Sequence, residues 1–352
     1  MTAIFAIAPY GNAKRVPRAT DHRTGQSKSA MKAIRATEFG GPDVLTYADV
    51  PTPAPGEGEA LVRVAAAGVN FMDIGQRTGR RPGTTPPFIA GGEASGTVEA
   101  VGAGVTNVKP GDRVMYAMAP ATYAEYAVAP AWRLIPVPDD IDLVDAGAIA
   151  LQALTAHYLL HEFAPVGPGT TVLVHAVAGG MGLLLAQWAT HLGAHVIGTT
   201  STEAKAAKAK AAGARDVILY TQTNFADEVK RITDGRGVDL ILDAVAKTTF
   251  PGDLEAARPG GHIVVYGAAS GQADPISPNA LSAKGLTVSG AGLAHYTRTS
   301  EEIARRAADI FAGVHEGWLK FAIDRTLPLA QAADAHRALE ARETSGKLLL
   351  IP

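Results

Sequence analysis

The sequence predicts a mixed α/β protein in two parts: a β-rich region with many turns, and a doubly wound parallel sheet of six strands. Three observations predict it. Between 171 and 290, β-branched and apolar runs alternate with helical patterns, as the strands and crossover helices of a parallel sheet do. At the head of that region Val172-Leu173-Val174-His175 turns through Ala176-x-x-Gly179-x-x-Gly182 into Leu183-Leu184-Leu185-Ala186. That is a buried strand, a tight turn of small residues and a helix start. Between 31 and 140, short strand-like runs are separated by Gly and Pro clusters.

Taken in order, the chain of 352 residues suggests two domains. Residues 1–30 carry five basic residues (Lys14, Arg15, Arg18, Arg23, Lys28) and one acid, Asp21. A transit peptide, a disordered tail and an upstream start codon all produce such a leader, and a disordered extension is the expectation. Strands are expected at 31–36, 44–49, 60–67, 94–101 and 113–117. Turns at Gly40-Gly41-Pro42, 51–58, Pro82-Gly83 and Pro110-Gly111-Asp112 separate them, giving a small irregular barrel. The period changes over 141–163, where Leu143, Ala146, Ile149, Ala150, Leu154 and Tyr158 can share a helix face. The parallel strands are expected at 171–176, 195–200, 215–219, 238–243, 262–267 and 285–290, with helices beginning near 180, 202, 224, 248 and 277. Residues 299–352 read as two helices and a short strand that returns to the first domain. The expected division is 31–153 with 291–352, and 154–290 between them.

Composition removes several classes. Charged residues are 19% and the net charge is -2, so no basic face for nucleic acid is implied. The chain has no cysteine, so disulfides and thiolate metal sites are excluded. No apolar run reaches the length of a membrane span. The P-loop, nucleophile-elbow and His-Glu-x-x-His patterns are missing, and Tyr10…Lys14 is the only Tyr-x3-Lys pair. His157 and His161 stand four apart on an expected helix, without an evident third ligand.

The small-residue turn carries the chemistry. Glycines let backbone approach a pyrophosphate, and the free N–H groups and dipole of the following helix face the anion. Ribose choice is marked ~20 residues later, where an acid would bind the 2′-hydroxyl and repel a 2′-phosphate. This chain has Thr199-Thr200-Ser201-Thr202 there, then Lys205 in the first turn of the next helix. A cation at that place opposes the helix dipole unless an anion sits opposite. A 2′-phosphate would be that anion, with Tyr220 walling the pocket. Lys205, Lys208 and Lys210 merely solvating an alanine-rich helix is the plainer alternative.

The chain resembles the zinc-independent quinone oxidoreductase branch of the medium-chain dehydrogenase/reductase superfamily. Gly68-Val69-Asn70-Phe71-Met72-Asp73, Gly92-Glu93-Ala94-Ser95-Gly96, Gly111-Asp112-Arg113-Val114, the turn His175 to Gly182 and the ending Gly346-Lys347-Leu-Leu-Leu-Ile-Pro carry the resemblance, which runs from Met31 to Pro352. It implies a GroES-like catalytic domain, a Rossmann domain and NADPH in the cleft between them. It also implies a homodimer through the last Rossmann strand, and 285–290 would be an uncovered edge that invites such pairing. By the same resemblance Asn70 lies at the nicotinamide and substrate end, with Asp73 and Arg77 nearby. Thr155, Tyr158, Ala176, Gly179, Gly180, Met181, Gly182, Thr200, Ser201, Lys205, Tyr220, Tyr266, Gly267 and Lys347 are the other residues assigned to the cofactor or the chemistry. Gly92 stands where zinc-dependent relatives place a histidine, so no metal is expected. Gly75 and Arg81 replace tyrosines of several relatives, which widens the mouth, makes it more cationic and weakens the case for quinone.

The expectation is therefore a cytoplasmic, NADPH-dependent, metal-free reductase of quinones or related electron-poor carbonyl compounds. Asn70 would position the acceptor oxygen or the nicotinamide ribose. Water or Tyr158 would deliver the proton, and hydride and one-electron transfer both stay open. The alternatives are a double-bond reductase of enals, enones or enoyl thioesters, and a non-catalytic NADPH-binding protein.

Overall fold

The computed structural model describes residues 30–352. The expected N-terminal extension lies outside these residues apart from Ala30, which already belongs to the first strand, Ala30–Ala36.

The site is set by a six-stranded parallel sheet. Its strands are Thr171–Val174, His195–Thr200, Asp216–Leu219, Val238–Asp243, Ala257–Val265 and Thr287–Gly290, numbered β1 to β6. They lie in the order β3-β2-β1-β4-β5-β6. Strand direction of winding reverses between β1 and β4, and ligands bind such sheets at the carboxyl ends of the strands beside that point. Side-chain alternation builds a core on each face. Val172, Val174, Leu240, Leu242 and Val264 join one cluster, under the helices Ala150–His161 and Gly180–His191. Leu173, Ile197, Ile241 and Ile263 join the other, under Phe225–Ile232 and Phe250–Ala256. Every residue of β1 is buried, which is why it reads as an unbroken apolar run.

The β-rich part holds a seven-stranded and a three-stranded sheet. The long strand Glu59–Val69 pairs with Glu93–Val101 and Tyr126–Pro130. It also pairs with Lys347–Ile351, Leu348 opposite Val69 and Leu350 opposite Ala67. The late strand therefore sits in the sheet that carries Asn70 at its edge.

Several elements differ from the sequence reading. The helix expected near 277 is a single 3₁₀ turn, Pro278–Leu281, with no buried residue. Without an apolar stripe to bury, nothing extends it. The helical run over 141–163 splits into Leu143–Ala146 and Ala150–His161. It breaks at Gly147, where a Cβ would come 2.8 Å from that of Ala66, so the chain passes close over the sheet. Strands at Tyr126–Pro130 and Ile323–Pro328 were not expected; both are short and lack a β-branched run. The first parallel strand stops at Val174 rather than 176 because Ala176 turns the chain at φ 51°. No helix of the described residues is long and apolar enough to cross a membrane.

Candidate active site

The phosphate end is built by the turn after β1. His175 N–H donates to Leu242 O (3.2 Å) and Val177 N–H to Thr199 O (3.0 Å), tying the turn to both neighbouring strands. Gly179 caps the helix Gly180–His191 and no side chain satisfies its first N–H groups. Gly182 must be glycine, since a Cβ there would collide with Ala176 O and lie 2.5 Å from Val177 Cα. Behind the turn, buried His175 bridges Thr199 Oγ1 (2.9 Å) and Asp253 Oδ1 (2.7 Å). Burial pushes the Asp253 carboxyl up to about 6, against the pull of His175.

At the ends of β2 and β3, Thr200, Ser201, Lys205 and Tyr220 line the same cleft, with no acid among them. Lys205 Nζ donates to Arg342 O (2.6 Å), and Arg342 lines the cleft too. Arg342 holds φ 59°, a left-handed conformation that costs a non-glycine residue about 1–2 kcal/mol. It was missed from sequence because it lies far along the chain in a polar turn; only the fold brings it beside Lys205.

Asn70 anchors the other end. It is the N-cap of Phe71–Arg77, and Asp73 closes the capping box by accepting its N–H (2.8 Å). Asp73 Oδ2 also accepts from Tyr123 OH (3.0 Å), which in turn meets His336 Nε2 (3.2 Å). Burial raises Asp73 to about 6 and lowers His336 to about 3. Asn70 lines the cleft, and its amide is engaged inward: Nδ2 donates to Glu93 Oε2 (2.9 Å) and Gly68 O (3.2 Å), and Oδ1 accepts from Lys347 Nζ (2.5 Å). Lys347 and Glu93 form an ion pair (2.5 Å) at 1% and 0% side-chain exposure.

Of the residues singled out from sequence, Thr155, Tyr158, Ala176, Gly179, Gly180, Met181, Gly182, Tyr266 and Gly267 also line this cleft, as do Gly75 and Arg81. Asp73 and Lys347 are not among its lining residues. Both lie behind its wall, at 1% and 2% exposure, because their charges are consumed by the capping box and the ion pair. Tyr158 stacks on Tyr296 (centroids 4.3 Å apart), and burial raises its phenol pKa, keeping it protonated. Arg77 is buried against Glu340 (2.5 Å). His157 and His161 stack at 4.4 Å, and His157 is held by Asp309 (2.7 Å) and Arg306 (2.8 Å).

The cleft measures about 1580 Å³. A single drug-sized ligand occupies a pocket of roughly 300–1,000 Å³, so a dinucleotide and a second molecule fit together. The uncapped helix start, the glycine turn and the cations at the far end suit a phosphorylated dinucleotide. Among the described residues, one group of three could bring metal-ligand atoms together: His175, Asp243 and Asp253. Asp243 accepts from Val245 N (2.7 Å), Ala246 N (3.0 Å) and Thr249 Oγ1 (2.8 Å), and His175 binds Asp253 Oδ1, while Asp253 Oδ2 is buried without a hydrogen-bond partner.

A six-stranded dinucleotide sheet whose cleft is closed by a β-rich domain defines a medium-chain dehydrogenase/reductase. Residues 56–139 match the family described as alcohol dehydrogenase GroES-like domain, and 180–310 that described as zinc-binding dehydrogenase. Among similar proteins is a 2-haloacrylate reductase from Burkholderia sp, 41% identical over 321 residues (89% of this chain, 96% of that protein). A quinone oxidoreductase of Pseudomonas aeruginosa is 40% identical over 323 residues (91% and 99%). A mycobacterial structure complexed with NADPH superposes with a TM-score of 0.89 at 46% identity, covering 92% of this chain and 100% of that one. The chain belongs to the quinone oxidoreductase type of the superfamily. The zinc in one family description does not suit these residues. There is no cysteine, and the space a side chain at Gly92 would take is held by Met72, whose Cε lies 3.1 Å from the Cβ position.

Proposed function

We propose that the protein is an NADPH-dependent, metal-free oxidoreductase that reduces quinones or related electron-poor carbonyl compounds. One observation supports this most: a single cleft joins the uncapped helix start at Gly180, the cations Lys205 and Arg342, and the clamped amide of Asn70. NADPH supplies the reducing equivalents. The chain's own residues do the rest. The 179–182 turn holds the pyrophosphate, and Lys205, Arg342 and Tyr220 hold the 2′-phosphate. Thr155 offers only its acceptor face, since its hydroxyl donates to Leu151 O (2.7 Å). Tyr158 stands in the wall as a protonated phenol, available to a reduced product. Oxidation of NADPH with and without 1,4-benzoquinone, in the presence of a chelator, tests the reading; binding without turnover on any acceptor would mark a non-catalytic binding protein.

A second reading, reduction of activated double bonds, is favoured by the 2-haloacrylate reductase relative and by Arg81, a cation on the cleft wall. A panel of quinones, enones and acrylates separates the two. We place 31–153 with 291–352 in one domain and 154–290 in the other, and the protein in the cytoplasm. We also propose a homodimer paired through β6, whose outer edge has no strand beside it among the described residues.

A further inference from the structure

We infer that Arg81 is a specificity-determining residue whose guanidinium takes a carboxylate on the electron acceptor. The acceptor this cleft prefers is then an electron-poor carbonyl compound with one anionic end. The inference rests on the reading that the acceptor is bound and reduced at the Asn70 end of the cleft.

The chain builds a fixed place for this cation. After the helix Phe71–Arg77, Thr78 N–H donates to Ile74 O (2.9 Å), and Gly79, at φ 75°, turns the backbone. Arg81 N–H then donates to Gly75 O (3.0 Å), which lays residue 81 against the helix that Asn70 caps. Both residues line the cleft. A Cβ at Gly75 would meet that of Arg81 at 3.9 Å and nothing else within 4 Å. The glycine therefore leaves open the space beside the Arg81 side chain, where a ligand group can enter.

The charge has no answer inside the protein. Arg81 is half-buried, and among the described residues its guanidinium has no hydrogen-bond or ion-pair partner. Two acids line the cleft, and each has a cation of its own: Arg77 for Glu340 (2.5 Å) and Lys230 for Glu255 (3.6 Å). A guanidinium partly withdrawn from water gains from a ligand that brings the missing counter-charge, and its planar fork matches the two oxygens of a carboxylate. The cofactor's own anions have other holders in this reading, the pyrophosphate at 179–182 and the 2′-phosphate at Lys205 and Arg342. Phe71 and Met72 line the cleft from the same helix, so the cation stands beside apolar surface. That combination suits a small molecule with an apolar conjugated body and one carboxylate. An uncharged quinone leaves Arg81 unanswered.

The test compares 4-oxo-2-pentenoate with its amide, which keeps the shape and drops the charge. With NADPH as reductant, kcat and KM are read for the wild type, Arg81→Leu and Arg81→Lys. Where neither compound is reduced, each is read as a competitive inhibitor of 1,4-benzoquinone reduction. The carboxylate-to-amide ratio, followed across the three proteins, cancels the difference in intrinsic reactivity between the two compounds. Losing a hydrogen bond between charged groups at a half-exposed place should lower that ratio about tenfold in Arg81→Leu, through KM or the inhibition constant and not through kcat. Arg81→Lys keeps the charge without the fork and should return the ratio to within about threefold of the wild type. The dissociation constant of NADPH, read by fluorescence, should move less than about twofold in either variant. An unchanged ratio in Arg81→Leu would overturn the inference. So would a loss of NADPH affinity as large as the loss in the ratio, since the anion would then be the cofactor's. A wild type that oxidises NADPH with no acceptor, benzoquinone included, would instead sink the functional reading.

Discussion

Replacing Lys205 by alanine should erase most of the preference for NADPH over NADH. Lys205 Nζ carries three N–H groups, and one is given to Arg342 O at 2.6 Å. Two remain for a phosphate, at a half-buried place on the cleft. A hydrogen bond to a charged group contributes roughly 1.5–3 kcal/mol, and partial exposure moves the gain toward the lower figure. The wild type should therefore prefer NADPH by about 10–30-fold at ~1.4 kcal/mol per tenfold. Lys205→Ala should weaken NADPH alone, because NADH has no 2′-phosphate to lose. Arg342→Gly is the companion: glycine adopts the left-handed conformation freely and keeps the carbonyl that Lys205 uses, while the guanidinium goes. It too should lower the preference without moving NADH. Fluorescence titration of both cofactors into the three proteins reads the ratios. Raising the salt should shrink the wild-type ratio, since an exposed pair is screened. Equal weakening of both cofactors in Lys205→Ala would refute the argument. Lys205 would then be holding the Arg342 turn rather than a phosphate.

Three further outcomes are expected. Asp73 is raised by burial from 3.8 to about 6, so between those values the native state keeps a proton that the unfolded chain releases. Its contribution is full below pH 3.8 and is lost as pH rises through 6; Asp73→Asn should therefore gain on the wild type by on the order of 2–3 kcal/mol from pH 4 to pH 7. Urea unfolding at several pH values checks this, and a pH-independent difference refutes it. Turnover should survive dialysis against a strong chelator, because no thiolate exists and Met72 holds the space at Gly92; stoichiometric zinc with chelator-sensitive activity would contradict that. Val288→Asp, on the edge strand β6, should move the protein from dimer to monomer in sedimentation, and a monomeric wild type would end the pairing proposal.

How far sequence reasoning reached depended on the range of the interactions. The turn from Ala176 to Gly182 was readable because steric needs are local: Gly182 has no room for a Cβ whatever the rest of the chain does. The central parallel strands were readable because burial on both faces leaves an apolar run, as in β1, where every residue is buried. Asn70 lines the cleft, and its partners Glu93 and Lys347 lie far from it along the chain. Lys347 and Asp73 are expected at the site through the motifs that carry the family resemblance, and neither lines the cleft. Where a charge points is decided by partners: the lysine lies 277 residues from Asn70, and Tyr123 lies 50 from Asp73. Arg342 was passed over for the same reason, having no local pattern and a partner 137 residues away. The helix expected near 277 failed differently, because the turn Pro278–Leu281 buries none of its residues.

The late arrival of Lys347 has a consequence for synthesis. Glu93 leaves the ribosome 254 residues before the lysine that neutralises it. At ~5–20 residues per second, that carboxylate waits roughly 13–50 s. Through that interval the strand Glu59–Val69 lacks its Lys347–Ile351 neighbour and the Asn70 amide has no ammonium to turn it. The phosphate cradle at 176–182, by contrast, is made of residues translated well before that lysine. A growing chain therefore completes the phosphate cradle before the ion pair that holds the Asn70 amide.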